Sequence, residues 1–452
     1  MVEPVVVPRA QHTLSRRDID PDALRVLYRL HQNKHLAYLV GGGVRDLLLG
    51  RRPKDFDIGT DAHPFQVKRL FRNCWIIGRR FRLAHVKFGT KTIEVATFRR
   101  QVGPGTEGEP PLHHEHGPHD DGAPGAAAAR ADARAHEGPA GLDHDRLIHR
   151  DNTFGTPEED AFRRDFTVNA LFYDIAQFAI IDYVGGLDDL HHRLIRCIGR
   201  PDERFREDPV RMLRAIVLAA RLGFTVDPPI LDAIARHHQD IARAAPARLL
   251  EEFYKILRSG SAAAAFRGLA ETGLLEHVVP EIEVPLHPRF VRALEALDRY
   301  RARFEAPPDT LTNAVLVGTM LLPLGLLRPR RRRGAEDASP GPAASPLGVL
   351  PVARRDVERL GQVVVLQRRL LDLDAPPRAR AGVMMKHAFQ DALTWLDVHG
   401  DTPEAVAHWR ALVGSRGPVD DRALPDQDAE AGALLPRRRR RRRRRRPFPP
   451  RG

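Results

Sequence analysis

The sequence predicts an α+β fold in which a small mixed-sheet head is followed by an all-helical neck and body. Between residues 37 and 100, short β-branched or aromatic runs such as DFDIGT and TIEVATF alternate with short amphipathic segments. Beyond Pro201, apolar residues recur at three- and four-residue intervals, and each such segment ends at Gly or Pro. The 452-residue chain is also too long for one hydrophobic core, which favours several packed units.

Changes in composition set the expected domain boundaries. We expect an N-terminal extension at 1–36, the head at 37–200, the neck at 201–265, the body at 266–413 and a disordered arginine-rich tail at 414–452. Residues 101–150 of the head are rich in Pro, Gly, Ala and His, and they offer too little apolar surface to offset the entropy of ordering. This segment is predicted to be a mobile insertion, and its seven histidines, without fixed spacing, indicate solvation rather than a metal site. A Pro- and Arg-rich linker, 328–348, interrupts the body.

The charge of the chain indicates an acidic partner. Its formal net charge is +13 and its pI is near 10.3. The arginine run Arg437–Arg446 supplies ten of these charges, so the rest of the chain has only +3. The body of the protein is therefore only mildly basic, and the tail is the strongly cationic part.

Cysteine content and hydropathy favour the cytoplasm. The two cysteines, Cys74 and Cys197, give neither a disulfide framework nor metal-ligand spacing, which suits a reducing compartment. The N-terminal residues lack the apolar core of a signal peptide. The longest apolar run, 314–327, contains Pro323 and is shorter than the roughly 20 residues that span a bilayer. We expect a buried helix pair there and no membrane span.

Two acids, Asp55 and Asp57, alternate on a predicted strand. Residues i and i+2 of a strand point to the same face, so both carboxylates would lie side by side. Hard divalent cations such as Mg²⁺ prefer oxygen ligands, and two such ions can bind the attacking and leaving oxygens of a phosphoryl-type displacement. The alternative for this short pattern is a solvated turn.

Three glycines, Gly41 to Gly43, separate a predicted strand from a predicted helix just before these acids. Bare backbone N–H groups at such a corner can approach a triphosphate closely. The alternative is a simple turn. The segment is not a P-loop, because no GK[ST] follows it.

Five motifs together resemble one family. LVGGGVRDLLLG, KDFDIGT, RRDFTVNALFYD, DYVGGLDDL and REDPVRMLRAIVLAARLGF occur in the order and approximate spacing of the bacterial class II nucleotidyltransferases, which include the poly(A) polymerases and the CCA-adding tRNA enzymes. The resemblance is strong over residues 36–274 and loose in the later helices. It implies a polymerase β-like head, a nucleotide-binding neck and an RNA-binding body.

The resemblance also implies roles for individual residues. Asp55 and Asp57 would bind two Mg²⁺ ions, and Asp165 would join them as a catalytic carboxylate. The residues expected to contact the incoming nucleotide are Gly42, Arg45, Arg164, Asp208, Arg211 and Arg214.

The neck motif has a geometry of its own that suits this role. If Asp208 caps the helix that Pro209 begins, Arg211 and Arg214 lie on one polar stripe and can offer donors to a nucleobase edge. The alternative is an N-cap followed by a solvated salt-bridge face.

Glu94 could be a third metal carboxylate, but a strand-edge acid is favoured, and Glu94 is left out of the predicted site. In DYVGGLDDL, Gly185 and Gly186 are expected at the turn of a hairpin.

The segment between the acids and the insertion favours one branch of the family. LFRNCWIIGRRFRLAHVKFG, residues 70–89, looks like the poly(A) polymerase segment, whereas CCA-adding enzymes usually have a small-residue pair in place of Arg82-Leu83. We expect a cationic strand edge that contacts RNA phosphates, formed by Arg79, Arg80, Arg82 and Lys87. Ordinary solvated charge is the alternative. The arginine tail would add salt-sensitive, sequence-independent RNA binding, which suits a polymerase that accepts many 3′ ends.

These inferences combine into one prediction. We expect a cytoplasmic, monomeric polynucleotide adenylyltransferase that transfers AMP from ATP to RNA 3′ ends without a template, uses two Mg²⁺ ions, and meets RNA-processing proteins as partners. One alternative is CCA addition to tRNA. The other, of a different class, is a non-catalytic RNA-binding protein that keeps the fold.

Overall fold

The structure is a computed structural model, and it describes residues 3–78, 82–100, 154–282, 284–327 and 347–414. The predicted insertion, most of the predicted linker and nearly all of the predicted tail therefore lie outside the described residues. The last two residues of the predicted linker, 347 and 348, are described: Leu347 is buried in the core, and the Gly348 N–H donates to the Glu281 carboxylate.

The head is built on one eight-stranded mixed sheet. Its strand order is β1-β8-β7-β2-β3-β6-β5-β4, in which only the β3–β6 pair is parallel. The strands are β1 (Val5–Val7), β2 (Ala37–Val40), β3 (Asp57–Thr60), β4 (Cys74–Ile77), β5 (Leu83–Phe88), β6 (Lys91–Thr97), β7 (Leu171–Asp174) and β8 (Ala179–Asp182).

The N-terminal residues pack on the sheet of the head. Strand β1 pairs with β8, with Val6 opposite Ile181. The first helix, α1 (Pro21–Gln32), is capped by the Asp20 carboxylate and buries Leu27 and Leu30 against the sheet. Residues on both sides of the predicted boundary at residue 37 therefore contribute to the head, and that boundary stays a prediction.

Side-chain alternation in β5 and β6 shows which face of this half of the sheet is covered. Ala84 and Val86 of β5 are buried, as are Ile93 and Val95 of β6, whereas the residues between them retain solvent contact. The covered face packs on α1, α2 (Gly42–Leu48), α3 (Pro64–Leu70) and α5 (Gly186–His191), whereas α4 (Pro157–Phe162) packs through Ala161 on Tyr38, Val40 and Phe172 of the opposite face.

The segment containing Gly185 and Gly186 corrects the predicted hairpin. It connects β8 to helix α5, and Gly185 adopts a left-handed conformation. The Asp182 carboxylate accepts hydrogen bonds from four successive backbone N–H groups, those of residues 184 to 187. These bonds satisfy the donors at the helix start, so the two glycines open a helix.

The chain leaves β6 and returns to the head at neighbouring points. Arg99 and Phe154 form an isolated antiparallel bridge, and the Gly155 N–H donates to the Phe98 carbonyl at 2.9 Å. The long segment between these two residues therefore begins and ends at the same place on the sheet.

The remainder of the described chain is mainly helical, which confirms the predicted fold class. A two-stranded parallel pair, β9 (Leu194–Ile195) and β10 (Thr225–Val226), is the exception within the described ranges. The helices are α6 (Pro201–Glu207), α7 (Val210–Leu222), α8 (Pro228–His237), α9 (Pro246–Arg258), α10 (Ala262–Glu271), α11 (Pro288–Arg301), α12 (Asn313–Leu321), α13 (Arg354–Leu370), α14 (Pro377–Met384), α15 (Phe389–His399) and α16 (Pro403–Gly414).

Core packing does not follow the predicted boundary between neck and body. Helix α10 spans that boundary and packs on α7 so closely that a Cβ at Gly268 would lie 2.7 Å from the Ile216 side chain. A separate hydrophobic cluster, centred on the buried Trp409, joins α13 to α16.

Helix α12 is buried from Ala314 to Leu321. No described helix has the length and apolar character needed to cross a membrane.

Candidate active site

The glycine corner brings two other parts of the head close together. Gly41 has φ +73° and ψ −136°, and a Cβ there would lie 2.9 Å from Nη1 of Arg164. A Cβ at Gly43 would lie 3.3 Å from the backbone oxygen of Asp55. Because glycine has no Cβ, the corner leaves room for both the Asp55 backbone and the Arg164 guanidinium. This packing accounts for Gly41 and Gly43 without a ligand.

Arg45 is a buried residue of this corner. Its guanidinium donates to the Asp46 carboxylate at 2.7 and 2.9 Å and also to the side-chain oxygen of Asn169. Burial lowers the pKa of Arg45, and the neighbouring Asp46 opposes that shift. A Cβ at Gly42 would lie 3.2 Å from the Arg45 guanidinium, so this side chain folds back beneath the turn. Its predicted contact with a nucleotide stays a prediction.

Asp55 and Asp57 differ in their settings, which corrects the expectation that both lie on one strand. Strand β3 begins at Asp57, so Asp55 belongs to the preceding coil. The Asp55 side chain is 69% exposed and lies 3.6 Å from the Lys54 ammonium. The sheet therefore fixes the direction of the Asp57 side chain but not that of Asp55.

Asp57 carries an unfavourable concentration of negative charge. Partial removal of its hydration shell, together with the carboxylates of Glu94 and Asp55, raises the pKa of Asp57 to about 6, and Arg164 opposes this shift. The parallel register pairs Ile58 with Val95, which places Glu94 beside Asp57 on the same face. Glu94, which the sequence prediction left out, is thus a member of this acidic group.

The acidic group suits a hard cation in its donor chemistry. Carboxylate oxygens are the ligands that Mg²⁺ prefers, and a divalent ion would oppose both the desolvation and the repulsion from Glu94 and Asp55 that raise the pKa of Asp57. Over the described ranges, however, no three His, Cys, Asp or Glu side chains are already gathered closely enough to hold a metal ion. Binding would therefore require Asp55 or Glu94 to turn toward Asp57.

Arg164 is held on the same face of the sheet as Asp57. It donates to the buried Asp160 carboxylate at 2.9 and 3.2 Å and to the Asn169 carbonyl at 3.1 Å, and it lies over the Phe172 ring. The positive charge of Arg164 opposes the rise in the pKa of Asp57.

Asp165 connects the head to the neck. Its carboxylate lies 2.8 Å from the Arg214 guanidinium and accepts hydrogen bonds from the Asn169 side chain and the Phe166 N–H. Burial alone would raise the pKa of Asp165, but Arg214 and these hydrogen bonds lower it below its ordinary value. In the described part of the chain, its polar contacts are with these partners and not with Asp55 or Asp57. Arg214 pairs with Asp165, and its predicted nucleotide contact stays a prediction.

A second link between head and neck was not visible in the sequence. Arg204 of α6 is buried and donates to the carbonyls of Arg163 and Arg164 at 2.7 and 2.6 Å. An arginine in an amphipathic helix gives no sequence signal of such a bond, because its acceptors are backbone atoms about forty residues away.

The polar edge of α7 is partly occupied by neighbouring ions. The Asp208 side chain accepts from the Val210 N–H at the start of α7, whose N-cap residue is Pro209 and not Asp208 as predicted, and it forms a bidentate pair with Arg248 of α9 at 2.6 and 2.9 Å. Arg211 lies 2.9 Å from the Glu207 carboxylate. Arg248 was missed because it is distant in sequence and no motif includes it.

The two described members of the predicted cationic strand edge, Arg82 and Lys87, lie apart from each other. Arg79 and Arg80 lie outside the described residues. Arg82 precedes β5 and lies over the Phe65 ring of α3, whereas Lys87, near the other end of β5, lies over the Trp75 ring. At about 3.3 Å per residue, the Cα atoms of Arg82 and Lys87 are roughly 16 Å apart along the strand.

Comparison with known proteins identifies the head. Residues 37–196 match the family model "Poly A polymerase head domain", and residues 223–285 match "Probable RNA and SrmB- binding site of polymerase A". The second match crosses the predicted boundary between neck and body.

Individual proteins show the same relationship. The chain is 47% identical over 277 residues to poly(A) polymerase I of Salmonella typhimurium, covering 61% of this chain and 54% of that protein. It is 33% identical over 256 residues to the CCA-adding enzyme of Lactobacillus johnsonii, covering 57% and 54%. The chain thus spans about half the length of the curated relatives it matches.

A solved structure matches the fold over most of the chain. The Bacillus stearothermophilus CCA-adding enzyme, crystallised with CTP, aligns with a TM-score of 0.57 over 88% of this chain and 83% of that one, at 24% identity. The head, residues 37–196, is thus similar to the poly(A) polymerase head domain, the chain is similar in sequence to a poly(A) polymerase and to a CCA-adding enzyme, and it shares the fold of a solved CCA-adding enzyme.

Proposed function

We propose that the chain adds AMP from ATP to RNA 3′ ends without a template. The observation that supports this most directly is the 47% identity over 277 residues to poly(A) polymerase I, compared with 33% over 256 residues to a CCA-adding enzyme. RNA, ATP and two Mg²⁺ ions are the substrates and cofactors that this proposal requires.

In this proposal, Asp57, Asp55 and Glu94 supply the oxygen ligands of the metal site. Bound Mg²⁺ would polarise the RNA 3′-hydroxyl and neutralise the departing pyrophosphate. Asp57 must be ionised for this role, and its pKa of about 6 leaves it largely ionised at neutral pH. Arg164 lies near enough to add positive charge toward the phosphates.

Base recognition is assigned to the edge of α7. Asp208 is held by the two hydrogen bonds from Arg248, so its carboxylate is oriented before a nucleotide arrives. Arg211, bonded to Glu207, is similarly restrained. We propose that restrained polar groups of this kind favour one base over the others, since a mismatched base would not complete their remaining hydrogen bonds.

The remaining parts of the chain are assigned to RNA binding. We propose that the helices of 266–413 and the arginine tail bind the RNA, and that 201–265 positions the nucleotide. The matched segment described as a probable RNA- and SrmB-binding site, 223–285, supports RNA and an RNA-processing protein as partners. A monomer in the cytoplasm is the simplest form consistent with this role.

A nucleotide-addition assay tests the proposal. The purified chain is incubated with Mg²⁺, a generic RNA oligomer and one nucleotide at a time. A ladder with ATP alone supports adenylation. Addition restricted to truncated tRNA would instead support CCA addition, and a gel shift without extension would support a non-catalytic binding protein.

A matched pair of variants tests the site. Asp57→Ala should abolish extension while RNA binding persists. Asp61→Ala, at the opposite end of β3 where the acid lies 3.3 Å from His35, should extend RNA normally. Unchanged extension by Asp57→Ala would place the metal site elsewhere.

A further inference from the structure

The sheet places four side chains in one row that ends at Asp57. Trp75 of β4 is paired with His85 of β5, and His85 with Glu94 of β6. The β3–β6 register places Glu94 beside Asp57. Because paired residues of adjacent strands project from the same face, these side chains all lie on the face opposite α3.

This part of the sheet displays apolar and cationic groups to solvent. Trp75 and Ile77 are 51% and 50% exposed, and Lys87 is exposed. Their strand neighbours on the other side, Cys74 and Val86, are buried. Such exposure of a tryptophan and an isoleucine on one strand is costly in a soluble domain and marks an interaction surface. We call Trp75, Ile77, His85 and Lys87 the open face.

The tryptophan is arranged for stacking. The Lys87 ammonium lies 5.3 Å from the centre of the Trp75 ring and so fixes a positive charge against it. A flat aromatic surface next to a cation is the combination that binds single-stranded nucleic acid, because a base stacks on the ring while a phosphate meets the charge. The phosphates of RNA can pair with this ammonium while a base covers the ring, and this combination favours RNA as the occupant.

We propose that the open face binds the unpaired 3′-terminal segment of the RNA, with a base stacked on Trp75. This inference rests on the proposed function. Three strand spacings of about 4.8 Å separate Trp75 from Asp57, or roughly 14 Å. At the roughly 3.4 Å rise of a stacked strand, that distance corresponds to about four nucleotides. The substrate class is therefore RNA with at least about four unpaired 3′ nucleotides.

The direction of the RNA follows from the same row. The 3′-hydroxyl must reach Asp57, so the nucleotides 5′ to it run outward over Glu94 and His85 toward Trp75. His85 lies 3.7 Å from the Glu94 carboxylate, which places a group able to donate to a phosphate between the acids and the ring. Base-paired ends, being too rigid to spread over the sheet, would not reach Trp75.

Tryptophan fluorescence tests binding independently of catalysis. The chain has three tryptophans: Trp75, the buried Trp409 and Trp395, which packs on His399. Oligoadenylate should quench the emission of the full chain without ATP. Trp75→Phe should lose this quenching, and Trp395→Phe should keep it. Quenching that survives Trp75→Phe, or none in the unaltered chain, overturns the proposal.

Kinetics test the role in the reaction. Trp75→Ala should raise the KM for an RNA with a long unpaired 3′ end by about tenfold, with kcat and the KM for ATP unchanged. Trp75→Phe should recover most of the loss, and Val6→Ala, a comparably exposed residue near the other edge of the sheet, should have no effect. The penalty should vanish for primers with fewer than about four unpaired nucleotides.

The outcomes separate this inference from the proposed function. No extension by the unaltered chain with any nucleotide would refute the proposed function, whatever the fluorescence shows. Normal extension with an unchanged RNA KM in Trp75→Ala would refute the open face alone. An equal penalty on paired and unpaired ends would also refute it, since stacking of a single strand could not be its cause.

Discussion

Arg214→Met tests how firmly the neck is held on the head. The change leaves the carboxylate of Asp165, which is 8% exposed, without the guanidinium at 2.8 Å, while the Asn169 and Phe166 hydrogen bonds remain. Breaking a buried ion pair costs about 3–5 kcal/mol. Because the Arg214 side chain is 42% exposed and two hydrogen bonds persist, we expect about 2–3 kcal/mol. For a chain of this size that is a fall in Tm of about 2–3 °C.

Adding Asp165→Asn should restore about 1–2 kcal/mol, since no charge then remains buried and unpaired. The pH dependence gives an independent check. In the unaltered chain the lowered pKa of Asp165 stabilises the fold above about pH 4, and this is lost as the pH falls through the native pKa. In Arg214→Met, burial should raise that pKa, so the Tm deficit should be widest near neutral pH and shrink below about pH 5.

Melting by circular dichroism in EDTA measures both effects. Arg206→Met, an exposed arginine of α6, is the matched control and should change Tm by less than about 1 °C. A deficit that is the same at acid and neutral pH, or a double variant whose loss equals the sum of the single losses, would refute the reasoning.

Three further predictions concern the site. In magnesium-free buffer, ionisation of Asp57 opposes folding because the native pKa of Asp57 is raised to about 6. The Tm should therefore fall as the pH rises from about 4 to about 6, and Asp57→Asn should flatten this fall. Parallel curves of Tm against pH for the two proteins would contradict this prediction. Gly41→Ala should lower stability by about 1–3 kcal/mol in denaturant melts, because its backbone conformation is strained for alanine and the Cβ meets Arg164; Gly50→Ala, with open space around it, should cost less, and equal losses would show that the approach of Arg164 is unimportant. Deleting Arg437–Arg446 should weaken RNA binding and reduce its dependence on salt, measured by filter binding over a salt series; an unaltered slope would show that the tail takes no part.

Local sequence signals predicted much of the head. The glycine corner separates strand β2 from helix α2 as expected, although Gly42 and Gly43 already belong to the helix. This prediction succeeded because glycine acts within a few residues of where it stands. Strand β1 was missed because three valines between prolines give little signal, and their partner in β8 is about 175 residues away.

The candidate site was less predictable because long-range partners decide it. Nothing local distinguishes an arginine that meets a nucleotide from one that pairs with a carboxylate, as Arg45 does with Asp46 and Arg214 with Asp165. The Asp57 and Glu94 neighbourhood depends on a parallel strand register, which sequence alternation alone cannot provide. An acid inside an otherwise apolar strand was the available clue to Glu94.

The bridge between Arg99 and Phe154 has a consequence for how this sequence tolerates variation. With both ends of the intervening segment anchored side by side, doubling its length would cost only about 0.6 kcal/mol of closure entropy. Natural selection could therefore lengthen, shorten or replace this stretch without disturbing the strands that orient Asp57. A fluorescent or affinity tag spliced between those two anchors should leave the head folded.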